Sequence, residues 1–265
     1  MELSGKVAVI TGASRGIGRA LAKELAKHNC NLLLTALERN ELTSLSEEIR
    51  TYPVRAASVA ADLSDPERLR EFVDWISQQE APPDLLVNNV GMGGNFGRFE
   101  EQDLSDIEKT IALNILPLAH LTHALIPVLK KRPCAKIVNI SSGIARLPYP
   151  GLAVYGGTKG FISSFSESLS CELAGTPVRV LCFHPGFTMT SFISTSKMDL
   201  QKIPTSLIHT PEEVASKLTQ AIERDKQWAY SDSATRFSAW AGALLPSRLR
   251  TSIFRNAFWE LPDAK

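Results

Sequence analysis

What the chain lacks narrows its class first. Its four cysteines, Cys30, Cys134, Cys171 and Cys182, lie far apart and form no C-x-x-C pair, which argues against a zinc site or a redox motif and leaves them as reduced, structural thiols. Charge of one sign is also missing. With 29 basic and 28 acidic residues the formal charge is +1, so no strong field draws in nucleic acid or an anionic membrane. No uninterrupted apolar run reaches about 18 residues, and the opening Met1-Glu2-Leu3-Ser4-Gly5-Lys6 has neither the basic start nor the apolar stretch of a signal peptide. A cytoplasmic enzyme is the expectation. Internal repeats and low-complexity segments are absent too, and 265 residues suit one large domain, 1–265, better than two.

What is present is an alternation. Short apolar runs at Val7–Thr11, Asn31–Ala36, Val54–Ala61, Asp84–Asn88, Ala135–Ser141 and Val178–Phe183 are separated by amphipathic segments at Ile17–His28, Asn40–Arg50, Pro66–Gln79, Leu104–Lys131 and Leu152–Ala174. The runs are too continuous for a sheet wet on one face, so a doubly wound parallel sheet with helices on both faces is predicted. Right-handed crossovers would then gather the loops after Thr11, Ala36, Ala61, Asn88, Ser141 and Phe183 on one rim. Beyond Phe183 the pattern loosens into an expected flexible substrate loop at 187–210, with Phe187, Met189, Phe192, Ile193 and Met198 scattered through it. Thr210-Pro211-Glu212-Glu213 then opens a helix with an N-cap, a first-position proline and acid in the first turn. The tail 233–265 reads as helical, with aromatics and a mild basic bias, and suits a pocket lid or subunit contact better than a membrane surface.

The stretch Gly12-Ala13-Ser14-Arg15-Gly16-Ile17-Gly18 admits two chemistries. As G-x-S-x-G it would expose Ser14 as a hydrolase nucleophile, with His184 or His209 as its base. It stands on the first strand, however, whereas such a nucleophile is expected deeper in the sheet. As a phosphate turn it needs less: Gly12 permits the tight turn, Gly16 lets backbone approach a diphosphate, Gly18 allows helix to pack on strand, and the helix amino terminus offers N–H groups to the charge.

Tyr155 and Lys159 stand four apart, hence on one helix face. A cation near a phenol favours phenolate, but moving its pKa from near 10 to about 7 takes around 4 kcal/mol. A desolvated lysine, a bound cofactor's positive ring and a serine hydroxyl would have to act together. Ser142, at the end of a predicted strand, has a hydroxyl that could bond a substrate oxygen. Asn114 is a polar residue on a mostly apolar helix. His120 and His123, three apart, have no third ligand to make a metal site.

In combination, Thr11 to Gly18, Asp62-Leu63, Asn88-Asn89-Val90-Gly91, Asn114, Ser142, Tyr155-x-x-x-Lys159 and Pro185-Gly186 make the chain resemble the short-chain dehydrogenase/reductase family over about residues 5 to 190. The resemblance implies a Rossmann-type sheet of about seven strands in the order 3-2-1-4-5-6-7. It also implies an oxidoreductase that interconverts a carbonyl and an alcohol. Tyr155 would be the general acid/base, Lys159 the residue that lowers its pKa and grips the nicotinamide ribose, Ser142 the carbonyl donor and Asn114 the holder of a relay water. Asp62 and Leu63 would meet the adenine; Asn88, Val90 and Gly91 would line the cofactor cleft. Pro185, Gly186 and Thr188 would border the nicotinamide, and Thr190 would hold its carboxamide. A homodimer or homotetramer through Leu104–Lys131 and Leu152–Ala174 is implied in the same way.

The chain departs from the family pattern in two places: Val90 stands for the usual alanine, and Gly156-Gly157-Thr158 replaces the usual x-Ala-Ser step, its two glycines costing the helix roughly 1 kcal/mol each. Ala36-Leu37 offers no carboxylate to a ribose 2'-OH, while Arg15 and Arg39 are near, so NADP(H) is expected over NAD(H), unless Glu38 turns inward. Met92, Phe96, Leu147, Tyr149, Phe187, Met189 and Phe192 would wall a pocket for a bulky apolar ketone or aldehyde. A serine hydrolase and a non-catalytic NADP-binding regulator remain as alternatives.

Overall fold

A computed structural model describes residues 1–190 and 204–258. Seven parallel strands form one sheet: β1 (Val7–Thr11), β2 (Asn31–Ala36), β3 (Ala56–Ala60), β4 (Leu85–Asn88), β5 (Ala135–Ile140), β6 (Val178–His184) and β9 (Trp228–Tyr230). Their spatial order is β3-β2-β1-β4-β5-β6-β9. The expected order is thus found, its seventh member being β9 because two short strands, β7 (Phe187–Thr188) and β8 (Ile208–His209), pair separately in between. The described residues also form eight α-helices: α1 (Gly16–Lys27), α2 (Arg39–Ile49), α3 (Pro66–Ser77), α4 (Leu104–Leu129), α5 (Ala153–Glu172), α6 (Pro211–Glu223), α7 (Ser233–Leu244) and α8 (Ser247–Phe258).

The alternation of side chains along β1 shows why both faces must be covered. Ala8 and Ile10 face a core with Leu21 and Leu25 of α1, Leu42 and Leu45 of α2, and Leu218 and Ile222 of α6. Val7 and Val9 face the opposite core with Phe72 of α3, Leu121, Leu125 and Leu129 of α4, and Leu169 of α5. Each such fully buried leucine contributes about 2 kcal/mol of transfer free energy. By length and composition alone α4 could cross a membrane, but here Leu121, Leu125 and Leu129 are buried against the sheet.

β1 pairs with β2 on one side and β4 on the other, so successive strands run outward in opposite directions from that pair. A crevice therefore opens beyond the carboxyl ends of β1 and β4, where an open α/β sheet receives ligands. Of the expected loop 187–210, residues 191–203, including Phe192, Ile193 and Met198, lie outside the described residues, as does the tail beyond 258. Thr210 caps α6 as anticipated, in a reciprocal capping box with Glu213.

Candidate functional site

At the crevice the loops after β1 and β4 are stitched together. Thr11 Oγ1 accepts from the N–H groups of Asn89 and Val90, each at 3.0 Å, and Asn89 Nδ2 donates to Thr11 O (2.9 Å) and Gly12 O (3.1 Å). Gly12 has φ +63°, and a Cβ there would stand 3.0 Å from Val90 Cα. At Gly18 a Cβ would lie 2.2 Å from Gly12 O, so the helix reaches the strand only because that side chain is missing. α1 then begins at Gly16 with Arg15 as N-cap, no side-chain cap bond and no acid in its first turn. Those amide groups face a concave turn that suits a diphosphate in shape and polarity. Ser14 is buried in this turn, and Ile17 packs on the core.

On the side toward β2, an open cavity of about 600 Å³ is lined by Ser14, Arg15, Gly16, Arg19, Asn40, Glu41, Ser44, Met189, Thr190 and Pro211. Arg15 Nε donates to both Glu41 oxygens, at 2.5 and 2.6 Å. Arg19 donates to the carbonyls of Ser14 and Glu41 and pairs with Glu48, which locks α1 to α2. Leu37 is 62% exposed, and Glu38 and Arg39 are exposed at the start of α2. The carboxylate that matters in this cavity is Glu41, not Glu38. Asp62 is exposed at the rim and accepts from Ser64 N (3.0 Å) and Ser64 Oγ (2.6 Å), which holds its carboxyl below the usual range. Leu63 is 2% exposed, so only its main chain is available to a ligand.

The other end of the crevice is buried and held by main-chain contacts. Tyr155 and Lys159, on the first turns of α5, are 8% and 5% exposed, with Lys159 Nζ 5.7 Å from the Tyr155 ring centroid. Lys159 Nζ donates to Ile140 O at 2.9 Å, and burial lowers its pKa to about 8. The Tyr155 phenol is pushed up to about 12 by burial, with a hydrogen bond to Ser142 pulling the other way. Of these two effects on the phenol, desolvation is the larger. Asn114, 1% exposed on α4, takes a hydrogen bond from Met92 N (2.8 Å) and donates to Met92 O (3.0 Å) and Thr158 Oγ1 (2.9 Å). It thereby ties the strand-end loop at Gly91 to α5.

Asn88 departs from its expected place. Its side chain turns away from the crevice and donates to Asn139 Oδ1 (2.8 Å) and Thr122 Oγ1 (3.1 Å), and Asn139 continues to Ser166 Oγ (2.9 Å). The reason is strand geometry: neighbouring residues point to opposite faces, so Asn89 serves the phosphate turn and Asn88 the polar seam under α4 and α5. Beyond β6, Thr188 Oγ1 donates to Gly186 O (3.0 Å) and Thr190 Oγ1 to Thr188 O (3.4 Å), while Thr190 packs against Gly16. Met92, Phe96, Leu147, Tyr149 and Phe187 are half-buried, whereas Met189 is 61% exposed and stands with Arg15 and Thr190 rather than in an apolar wall.

Three groups whose roles sequence reasoning missed complete the site. His184, whose pKa burial lowers to about 4, lies with Nδ1 3.0 Å from Ser142 O and stacks on Trp228 and Tyr230. Neutral at ordinary pH, it donates to that carbonyl and steadies the turn that presents the serine hydroxyl. Ser231 accepts from Gly186 N (2.8 Å) and donates to Asp232, which caps α7 and accepts from Thr235 Oγ1 (2.7 Å). Glu41 is the third. His209 stands 3.1 Å from Asp232, so neither His184 nor His209 partners Ser14 as a hydrolase would require.

With this geometry in hand, comparison with known proteins gives the class. The short chain dehydrogenase model matches residues 6–201. The chain belongs to that family and is an oxidoreductase acting on CH–OH groups with a nicotinamide cofactor. It is 36% identical over 187 residues to sulfoacetaldehyde reductase 2 of Chromohalobacter salexigens, covering 70% of this chain and 74% of that one. A short-chain dehydrogenase of Sphingobium yanoikuyae in complex with NADPH superposes with a TM-score of 0.80 at 27% identity, over 98% of both chains. The 3-ketoacyl-(acyl-carrier-protein) reductase of Brucella melitensis, complexed with NADH, gives 0.78 at 28% identity, over 86% of this chain and 96% of that one.

Proposed function

We propose that the chain reduces bulky, apolar ketones or aldehydes, of the size of a 3-ketoacyl chain, a steroid or an aromatic ketone, with NADP(H) as coenzyme. The observation behind this reading is the convergence of buried Tyr155 and Lys159 with half-buried Ser142 at one end of a crevice whose other end is a glycine-lined anion cradle. When bound, the reduced nicotinamide supplies the hydride. Tyr155, protonated throughout the neutral range, gives its proton to the substrate oxygen, so the carbonyl becomes an alcohol. The Ser142 hydroxyl donates to the same oxygen and steadies it as charge develops. Lys159 contributes its cation beside the phenol and would hold the coenzyme's ribose. The Asn114 side chain fixes the Met92 loop, leaving one Oδ1 lone pair to hold a relay water.

Preference for NADP(H) rests on Arg15 and exposed Arg39 at the rim and on the lack of a carboxylate at Ala36-Leu37. Self-association through α4 and α5 is part of the reading, supported by exposed Ile111, Leu116 and Phe161. So is a cytoplasmic setting, in keeping with four free cysteines. The test is oxidation of NADPH and NADH against a panel of ketones and aldehydes graded by size. Faster turnover of large apolar carbonyls with NADPH supports the reading. NADPH binding without reduction of any carbonyl would mark a regulator, and labelling of Ser14 by a fluorophosphonate would mark a hydrolase.

A further inference from the structure

Helices α7 and α8 present an apolar face to solvent. Phe237, Trp240 and Leu244, spaced i, i+3, i+7 on α7, are 66%, 62% and 66% exposed, and Leu249 and Ile253 on α8 are 50% and 45% exposed. The Phe237 and Trp240 rings lie 6.4 Å apart. Residues 233–258 hold four arginines, Arg236, Arg248, Arg250 and Arg255, and no carboxylate, while the remaining 25 basic residues of the chain are set against all 28 acidic ones. Arg236, Arg248 and Arg255 are exposed. By helical spacing Arg236 flanks the α7 stripe, and Arg248 and Arg255 share one flank of the α8 stripe.

We propose that this face docks on an anionic lipid surface. Aromatic rings bordered by arginines suit the boundary between headgroups and acyl chains, where the rings bury and the guanidinium groups meet phosphate and carboxylate. A second copy of the chain fits less well, because a two-fold contact would set arginines against arginines with no acid among residues 233–258 to pair them. The opposite side of α7 packs on the Gly143–Arg146 turn that follows Ser142, and Gly242 lies against Leu147. Docking therefore brings the apolar side of the crevice close to the membrane. The surface is read from exposure and charge, so its test stands whether or not the reductase reading holds.

The test uses the full chain in flotation with phosphatidylcholine vesicles that contain or lack phosphatidylserine. Binding to the phosphatidylserine vesicles alone, released by salt, is expected. Arg236→Gln with Arg248→Gln and Arg255→Gln lowers partitioning on the order of a hundredfold. Phe237→Ser with Trp240→Ser abolishes it, with melting and NADPH binding checked on both variants. Should the apolar variant fail to fold, quenching of Trp240 by brominated lipid, read as the difference between wild type and Trp240→Phe, takes its place. Equal binding to neutral vesicles, or retention by the arginine variant, overturns the proposal. So does absence of binding with a dimer that dissociates when Phe237 and Trp240 are replaced.

Discussion

The two ends of the crevice are built from different interactions. At the nicotinamide end Tyr155, Lys159 and Asn114 are buried, and Lys159 and Asn114 are tied to main-chain atoms of Ile140 and Met92. At the adenosine end Arg15 meets Glu41 side chain to side chain, with the arginine 55% and the glutamate 32% exposed. A buried polar group bonded to backbone has one geometry and pays heavily for losing it, whereas an exposed ion pair is weak and can exchange partners. In the proposed function, chemistry belongs to the first end and coenzyme choice to the second.

The sharpest way to break that contrast is Tyr155→Phe. Loss of the proton donor should lower turnover by about three orders of magnitude, while the NADPH dissociation constant, read by fluorescence titration, moves less than about threefold because the phosphate cradle is remote. A comparable loss of affinity would mean that the two ends are not separable.

A pH profile comes next in size. Lys159 is held at about 8 instead of 10.5, so its charge is present below pH 8 and is lost as pH rises through it, while Tyr155, at about 12, stays protonated. The reduction rate should therefore level off toward neutrality and fall about tenfold per unit well above pH 8. Stability should move the other way. Between pH 8 and 10.5 the unfolded chain holds more protons on this lysine than the native state does, so its contribution to stability rises with pH. Melting measured alongside the rate profile separates loss of charge from unfolding; a flat rate to pH 10 would remove Lys159 from the mechanism.

How far each end can be read without coordinates follows from the same contrast. The buried end leaves local marks, such as Tyr155 and Lys159 four apart and Gly12 and Gly18 where helix must touch strand. The alternation of apolar runs likewise located six of the seven strands of the main sheet, with β3 beginning at Ala56 instead of Val54. β9 was missed because three residues, Trp228 to Tyr230, are too few to show a period, and they become a strand only by pairing with Cys182 to His184. Asn88 could not be told from Asn89 without knowing which face each occupies. Ser231 and Gly186 are 45 residues apart, and Arg15 and Glu41 are 26 apart, so no local spacing marks either contact.

Glu41→Gln probes the weaker end. Its carboxylate holds Arg15 and would repel a 2'-phosphate placed in the cavity they share. Removing that charge should tighten NADPH about fivefold, as expected of an exposed pair worth ~1 kcal/mol, and leave NADH nearly unchanged. Weaker NADPH binding would instead mean that Glu41 aims Arg15 at the phosphate.

The smallest expected effect tests whether the buried end is optimised throughout. Gly157 lies on the exposed side of α5 between Tyr155 and Lys159, and a Cβ there would meet nothing within 4 Å. At Gly156 the nearest atom would be Ile144 Cδ1, at an ordinary 4.0 Å. Neither position shows a close approach that would require glycine, so Gly157→Ala should stabilise the fold by about 1 kcal/mol, through reduced unfolded-chain entropy and better helix propensity. That raises the melting midpoint about 2 °C and leaves turnover unchanged. A drop in melting temperature that depends on protein concentration would show that the outer face of α5 meets another subunit at this position, with glycine there for that contact and not for the chemistry two residues away on either side.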